Sequence, residues 1–576
     1  MTPGARARLE SVLAAFALVA FVVVLACGPL SEQTMTERGF ASTLLLAALL
    51  LVLFATGRLA FALLATALPF ALIVVAGALK LRYMGTPLLA PDLEYFINRE
   101  TFEVIRRYPT LLAAFATAAI AVPALLAAAF VASRKRPFAG RTPAVRRSLR
   151  AVGALAAGSV LVAALAPRGP FAMVYGKPMW ARMNDRSFVT DFFTSFHDTQ
   201  AHRPVLPANI DTSIDWRRAG PDGAATRRPD IVAVLEESTF DPSILKPCTI
   251  PACRPAMFRP DARTRAHGLL EVHTFGGGTW TSEFAFLTGL PDTLFGNAGL
   301  YAPYNLAPRV AHTLPKTLAA AGYRSIAIYP LSGDFMNARN AYADYGFDAF
   351  YDGTQYGLGW KSTDADLLRV FERILAAEKA AHPGVPLFVF MLTLHQHGPH
   401  MTPLAELPPP FDQPLFTGAF TPPDLDAWLN LNLGNYLERL HESDAMLAQL
   451  AHLLFGGGGP AVLVQFGDHQ PSFDGAIYAI PKRLPADANG TDPGRVTYYR
   501  IDANFAAPAA RSYPVLDIAL LGSLVLDVAG IPQGSYFQAN SLLRERCGGH
   551  YVDCPRHGIV ASYHAYVFNR LDDLAP

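Results

Sequence analysis

The stretch "DIVAVLEEST", residues 230–239, decides how the second half of the chain folds. Ile231 to Leu235 form an unbroken apolar run, closed by two glutamates. A run without alternation must be buried on both faces, which fits a strand in a parallel or mixed sheet covered by helices on each side. The same texture recurs in "YRSIAIYP" (323–330), "PLFVFMLTL" (386–394) and "PAVLVQFGDH" (460–469). Between these runs, "TLPKTLAAAG" (313–322) and "DADLLRVFERILAAEKAA" (364–381) have the helical period, and the first closes on a glycine. Residues 229–576 therefore read as an α/β domain with a central, mostly parallel sheet. The Pro-rich stretch 401–416 reads as a surface loop.

The first third is of a different composition. Residues 11–30, 40–56, 59–79, 110–132 and 151–167 are almost uncharged, each near the roughly 20 residues that a helix needs to cross a bilayer. Residues 1–168 read as a transmembrane domain of five helices. The first run could be a signal peptide, but four more spans follow and no cleavage site stands out, so a retained anchor is the reading taken. The segment "RKRPFAGRTPAVRRSLR" (134–150) has seven basic residues and no acidic one, which keeps it in the cytoplasm. An odd number of spans then places everything after Arg168 on the other side. Residues 169–228 carry no strong period and read as a connector near the membrane surface.

Net charge of +1 argues against a nucleic-acid partner. Of five cysteines, Cys27 lies in the first span, while Cys248 with Cys253 and Cys547 with Cys554 make two close pairs. Close pairs in a non-cytoplasmic domain read as local disulfides; a four-cysteine zinc site would need unusual spacings.

The ends of the apolar runs carry the chemistry. Ligand sites of open α/β sheets lie beyond the carboxyl ends of the strands. Here the runs end in Glu236 and Glu237, in His395, His397 and His400, and in Asp468 and His469. Each alone could be a loop or cap residue, but together they are donor types for zinc or manganese. "HTFGGGTWTSEFAFLTGLP" (273–291) adds a hydroxyl after three glycines, at the start of an apolar, helix-like segment. Glycines permit a tight turn and close approach of an anion, and a helix N-terminus attracts it.

"LEEST", "GGGTWTSEF", "HQHGP" and "FGDHQ", in that order, resemble the alkaline phosphatase superfamily, in the branch of membrane-anchored sulfatase-like transferases that includes lipoteichoic acid synthases, phosphoglycerol transferases of periplasmic glucans and, more distantly, lipid A phosphoethanolamine transferases. The likeness spans about residues 230–540. It implies Thr279 as nucleophile, with Thr281 as runner-up, and Glu237, Thr279, Asp468 and His469 as metal ligands, with Glu236 the lesser choice for the first. It implies His397 as the substrate-side histidine and Arg339 as a phosphate-binding residue. Trp280 and His395 are further substrate-side candidates, while His395 and His400 could equally cap the loop. Two departures stand out. "CRPAM" at Cys253 lacks the arginine of the C-x-P-x-R motif, which argues against a formylglycine sulfatase, and "WTSEF" replaces the family's "SDSEF" beside the nucleophile.

The resemblance implies a zinc- or manganese-dependent transferase in the bacterial cytoplasmic (inner) membrane, its catalytic domain periplasmic. The donor would be a membrane phospholipid, the transferred group phosphoglycerol or phosphoethanolamine, and the acceptor an envelope glycan or lipid. The alternatives are a metal-dependent phosphodiesterase and a non-catalytic membrane scaffold.

Overall fold

A computed structural model describes the chain except residues 1–2, 85–86, 96–101, 103–105, 107–108, 134–139, 177–185, 198–202, 205, 208–209, 212, 218–227, 421–422, 489, 507–510 and 576. Part of the basic segment 134–150 and of the connector thus lies outside the described residues. The chain divides into two compact units, Met1–Thr199 and Gln200–Pro576.

The first unit holds helices Pro3–Cys27, Met35–Thr56, Leu59–Met84, Pro109–Ala132 and Pro143–Leu165. Each contains a stretch long and apolar enough to cross a membrane, and the chain is a multi-pass membrane protein. Their exposed residues, among them Val12, Leu18, Ile120, Leu155 and Val162, form the apolar exterior that lipid requires. The second and fifth helices begin earlier than hydropathy alone suggests, because capping sets the start, while the third begins at Leu59 as expected. Thr34 accepts from Glu37 N (3.2 Å) while Glu37 accepts from Thr34 N (2.8 Å), so the second helix starts at Met35. Thr142 and Pro143 start the fifth, which carries Arg146, Arg147 and Arg150 on its first turns. Hydropathy windows miss such turns because their residues are polar.

The segment 169–228 is shared between the units. Helix Phe188–Thr194 packs on the first unit: Val189 N and Thr190 N donate to the buried Glu32 carboxylate (2.9 and 3.3 Å), and Phe188 lies where a Cβ on Gly77 would be 2.8 Å away. Trp216 is buried in the core of the second unit, donating to Ser562 Oγ at 3.2 Å.

In the second unit, β1 (Asp230–Glu236), β2 (Thr264–Glu271), β3 (Arg324–Tyr329), β4 (Ala349–Asp352), β5 (Leu387–Leu392), β6 (Ala461–Gly467), β7 (Val496–Ala503) and β8 (Val515–Asp517) form one sheet of order β4-β3-β5-β1-β6-β7-β2-β8. Only β7 is antiparallel to its neighbours β6 and β2; every other pairing is parallel, so the remaining strands run one way. Alternation along β1 feeds two cores. Ile231, Ala233 and Leu235 pack on the face covered by helices Thr279–Thr288, Leu521–Ala529 and Gly534–Arg546. Val232 and Val234 face helices Asp364–Ala381 and Pro423–Gly456. Each fully buried Val, Ile or Leu contributes roughly 1.5–3 kcal/mol.

Helices Ile518–Ala529 and Gly534–Arg546 together are apolar enough to mimic a bent span. Their Leu520, Leu521, Val525, Phe537 and Leu543 are instead in the core, and Arg544 pairs with Asp527. Cys248–Cys253 and Cys547–Cys554 are disulfides, as the spacing suggested.

Candidate active site

The carboxyl ends of β5, β1 and β6 lie side by side, and β2 ends at the same edge because it runs in the same direction. Glu237 follows β1 directly; Asp468 and His469 follow β6. The two turns are fastened together: Asp468 N donates to Glu236 O (3.3 Å), and Asp468 Oδ1 accepts from Ser238 N and His469 N (each 2.7 Å). Their backbones touch so closely that a Cβ on Gly467 would lie 1.8 Å from Thr239 O. Ser238 takes a positive φ of 52° to make the turn, a costly conformation for a non-glycine residue.

Ligand atoms of Glu237, Asp468 and His469 all lie within 4.8 Å of one another, and the three residues are buried. His469 Nδ1 donates to Gln470 O at 3.0 Å. A carbonyl only accepts, so the proton sits on Nδ1 and the Nε2 lone pair faces the carboxylates. Asp468 Oδ2 is buried and accepts no hydrogen bond among the described residues; it lies 3.2 Å from His469 Nε2, which has no proton to give it. Two carboxylates, a correctly oriented imidazole and an orphaned oxygen at one point fit a zinc- or manganese-type cation. The electrostatics agree. Burial and the Glu237 charge push Asp468 well above the usual carboxylate range. Burial also raises Glu237, but His469, His397 and hydrogen bonds from Ser238 and Thr279 outweigh it, so Glu237 stays charged. Burial lowers His469.

Thr279 enters this group from the end of β2. The loop turns through Gly276 (φ 67°) and Gly278 (φ 87°), and Thr279 begins the helix that follows. Thr279 Oγ1 donates to Glu237 Oε2 (2.8 Å) and is 3.5 Å from His469 Nε2. Thr281 is turned away: its hydroxyl donates to Gly278 O (2.8 Å) and is buried. Ser282 Oγ donates to Asp468 O (2.7 Å), fixing the helix on the β6 turn. Glu236 faces away from the donor group and accepts from Tyr498 OH.

The three histidines after β5 differ. His397 Nδ1 donates to Gly398 O (2.8 Å), its ring lies 4.8 Å from that of Trp360, and it is near enough to Glu237 to favour that carboxylate's charged form. His395 Nε2 is 2.6 Å from Glu442 Oε2 on helix Pro423–Gly456. His400 is buried against the rings of Tyr436 and Phe473. Trp280 is mostly buried and donates to Leu300 O (2.7 Å). Arg339 is about half exposed, pairs with Asp352 and lies over the Phe350 ring.

Residues 229–505 match the family model described as Sulfatase. That match lies within the second unit and takes in β1, the glycine loop, the loop after β5 and the β6 turn, so the part of the chain that carries the site is similar to that family. Among curated relatives, an uncharacterized protein of Haemophilus influenzae is 30% identical over 356 residues, 60% of this chain and 61% of its own length. The capsular polysaccharide biosynthesis protein RkpI of Rhizobium meliloti is 30% identical over 203 residues, 34% of this chain and 33% of its own. The chain thus spans less than two thirds of either relative. Similar solved structures include Streptococcus pyogenes phosphoglycerol transferase GacH (17% identity, TM-score 0.47, 65% of this chain and 99% of that one). Neisseria meningitidis lipooligosaccharide phosphoethanolamine transferase A is another (13%, TM-score 0.46, 91% and 98%).

The site also uses residues that sequence reasoning passed over. Tyr436 OH accepts from Phe240 N (3.1 Å) and donates to Ser238 O (3.2 Å), bracing the strained turn. Gln470 O accepts from Gly276 N (3.1 Å) as well as from His469, joining the glycine loop to the β6 turn. Gln470 sits beside the "GDH" triplet and was within reach of a reading that asked what orients the histidine. Tyr436 lies in the middle of a long helix and has no local signal.

Proposed function

We propose that this protein transfers a phosphorylated head group from a membrane phospholipid, through a phospho-threonine, to an envelope glycan or lipid. The observation that carries the reading is the Thr279 hydroxyl, held at a helix N-terminus within reach of Glu237 and His469 and beside the buried Asp468 carboxylate. Glu237, Asp468, His469 and Thr279 would hold a divalent cation, zinc or manganese, which lowers the pKa of a bound hydroxyl and offsets charge on phosphoryl oxygens.

Thr279 Oγ gives up its proton to solvent and, as the alkoxide, attacks the phosphorus of the donor. The bond from phosphorus to the diacylglycerol oxygen breaks, and His397, its ring carrying a second proton on Nε2 besides the one on Nδ1, supplies that oxygen with the Nε2 proton. In the second half, an acceptor hydroxyl gives its proton to His397 and attacks phosphorus, releasing Thr279. Amides at the start of helix Thr279–Thr288 favour the anionic group in both halves. The multi-pass anchor keeps the enzyme beside a lipid donor, with the second unit on the periplasmic side of the bacterial inner membrane.

Phosphoglycerol is the first choice of head group and phosphoethanolamine the second. The partial match to a capsular polysaccharide biosynthesis protein adds weight to a glycan acceptor. The test is full-length protein in vesicles of labelled phosphatidylglycerol or phosphatidylethanolamine, with zinc or manganese, with and without an oligosaccharide acceptor. Acceptor-dependent label transfer supports the reading. Release of free head-group phosphate at one rate with and without acceptor makes the protein a phosphodiesterase.

A further inference from the structure

His397 stands on an irregular loop beyond β5, so its placement depends on whatever holds that loop. Side chains of the loop are tied to helix Pro423–Gly456 by His395 on Glu442 and Gln396 on Ser443, but the backbone around His397 is held by Arg439, in the middle of that helix. Its Nη1 donates to His397 O (3.1 Å) and His395 O (3.4 Å), and its Nη2 donates to Pro399 O (3.1 Å). One guanidinium thus gathers the carbonyls of alternate residues 395, 397 and 399. Between the last two lies Gly398, whose carbonyl accepts from His397 Nδ1. Fixing the carbonyls on either side fixes how the Gly398 carbonyl points. That carbonyl keeps a proton on Nδ1, so Nε2 is the nitrogen at which the ring gains and loses its second proton.

We propose that Arg439 is a positioning residue that sets the tautomer and placement of His397 through these three carbonyls. The planar fork is essential to the role: a lysine ammonium brings the same charge on a flexible stem and does not present two parallel rows of donors. Trp360 restrains the ring from its side, so Arg439 governs the loop backbone while Trp360 governs the imidazole plane. The tautomer claim is independent of the reaction; its effect on rate rests on the proposed function.

The test uses the full chain in lipid bilayers with zinc, its histidines labelled with nitrogen-15, and solid-state NMR, the His397 signals being assigned by difference from His397→Gln. The wild type should show His397 protonated on Nδ1. Arg439→Lys should give a mixture of tautomers with unchanged bound zinc. With a chromogenic phosphodiester, Arg439→Lys should lower kcat by about 100-fold, the scale of a misplacement near 1 Å, and leave KM nearly unchanged. Should Arg439→Lys not fold, Arg439→Gln takes its place. The proposal is overturned if the lysine variant keeps the wild-type tautomer, or if the neutral ring of the wild type carries its proton on Nε2. A wild type that binds zinc but turns over no phosphodiester defeats the proposed function, while the NMR result still decides the role of Arg439.

Discussion

Gly467→Ala is a one-atom wedge between the two turns that carry the metal-type donors. The added Cβ would meet Thr239 O at 1.8 Å, whereas real Cβ atoms essentially never approach below 3.0 Å, so the backbones must separate by at least 3.0 − 1.8 = 1.2 Å. The obstacle is a backbone carbonyl, which cannot swing aside as a side chain could. Thr239 lies two residues after Glu237, and Gly467 immediately precedes Asp468, so the separation widens the gap between their carboxylates. The expected cost is roughly 1–3 kcal/mol of stability for overpacking. Zinc affinity should fall by about 10- to 100-fold, the usual result of disturbing what supports a ligand. Calorimetric titration of the full chain with zinc reads the affinity, and thermal melting reads the stability. Gly459→Ala is the control, since its Cβ would meet nothing within 4 Å. Wild-type zinc affinity in Gly467→Ala would refute the reasoning, because donors that survive such a displacement are not the ones holding the ion.

Two further predictions concern the support behind the nucleophile loop. His273 is buried between Asp292 and Asp517, each at 3.2 Å; burial works against its charge, but the two carboxylates prevail and raise it to about 10. A raised folded-state value means that the stabilisation is full below about pH 6.5, the unfolded value, declines as the pH climbs from there and is gone above about 10. His273→Gln should therefore cost about 3–5 kcal/mol at pH 6 and much less near pH 10, measured by denaturant unfolding at the two values; an equal cost at both contradicts a charged His273. Cys554→Ser opens the Cys547–Cys554 loop, whose His550 and Val552 face Glu271 and Asp517. It should lose about 2–3 kcal/mol by the chain-entropy estimate for so short a loop, read from the melting curve.

Much of the architecture was legible because burial leaves a mark on composition. β1, β3, β5 and β6 are covered on both faces and so appear as mostly apolar runs, interrupted by little more than the buried Ser325 and Gln465. Strand β7, "VTYYRIDA", is buried too, yet its Thr497, Arg500 and Asp502 have partners inside the protein and break the run, which hides it. Helix Pro423–Gly456 was obscured by Asn430, Asn432 and Asn435, polar residues whose side chains bond to nearby backbone. At the site, Glu237, Thr279, Asp468 and His469 stood out because short motifs carry them past strand ends. The roles of Arg439 and Tyr436 depend on contacts some 40 and 200 residues away in the chain, and local spacing cannot encode those.

The central claim is that Thr279 carries the head group between donor and acceptor. Its most direct test is intact-mass analysis of the full chain after incubation with zinc or manganese and phosphatidylglycerol or phosphatidylethanolamine, without acceptor, alongside Thr279→Ala. A mass increase of one phosphorylated head group on the wild type, mapped to Thr279 and absent from the variant, is the predicted result. Metal-loaded wild type that gains no mass while still releasing diacylglycerol would contradict it, as would an equal gain on Thr279→Ala.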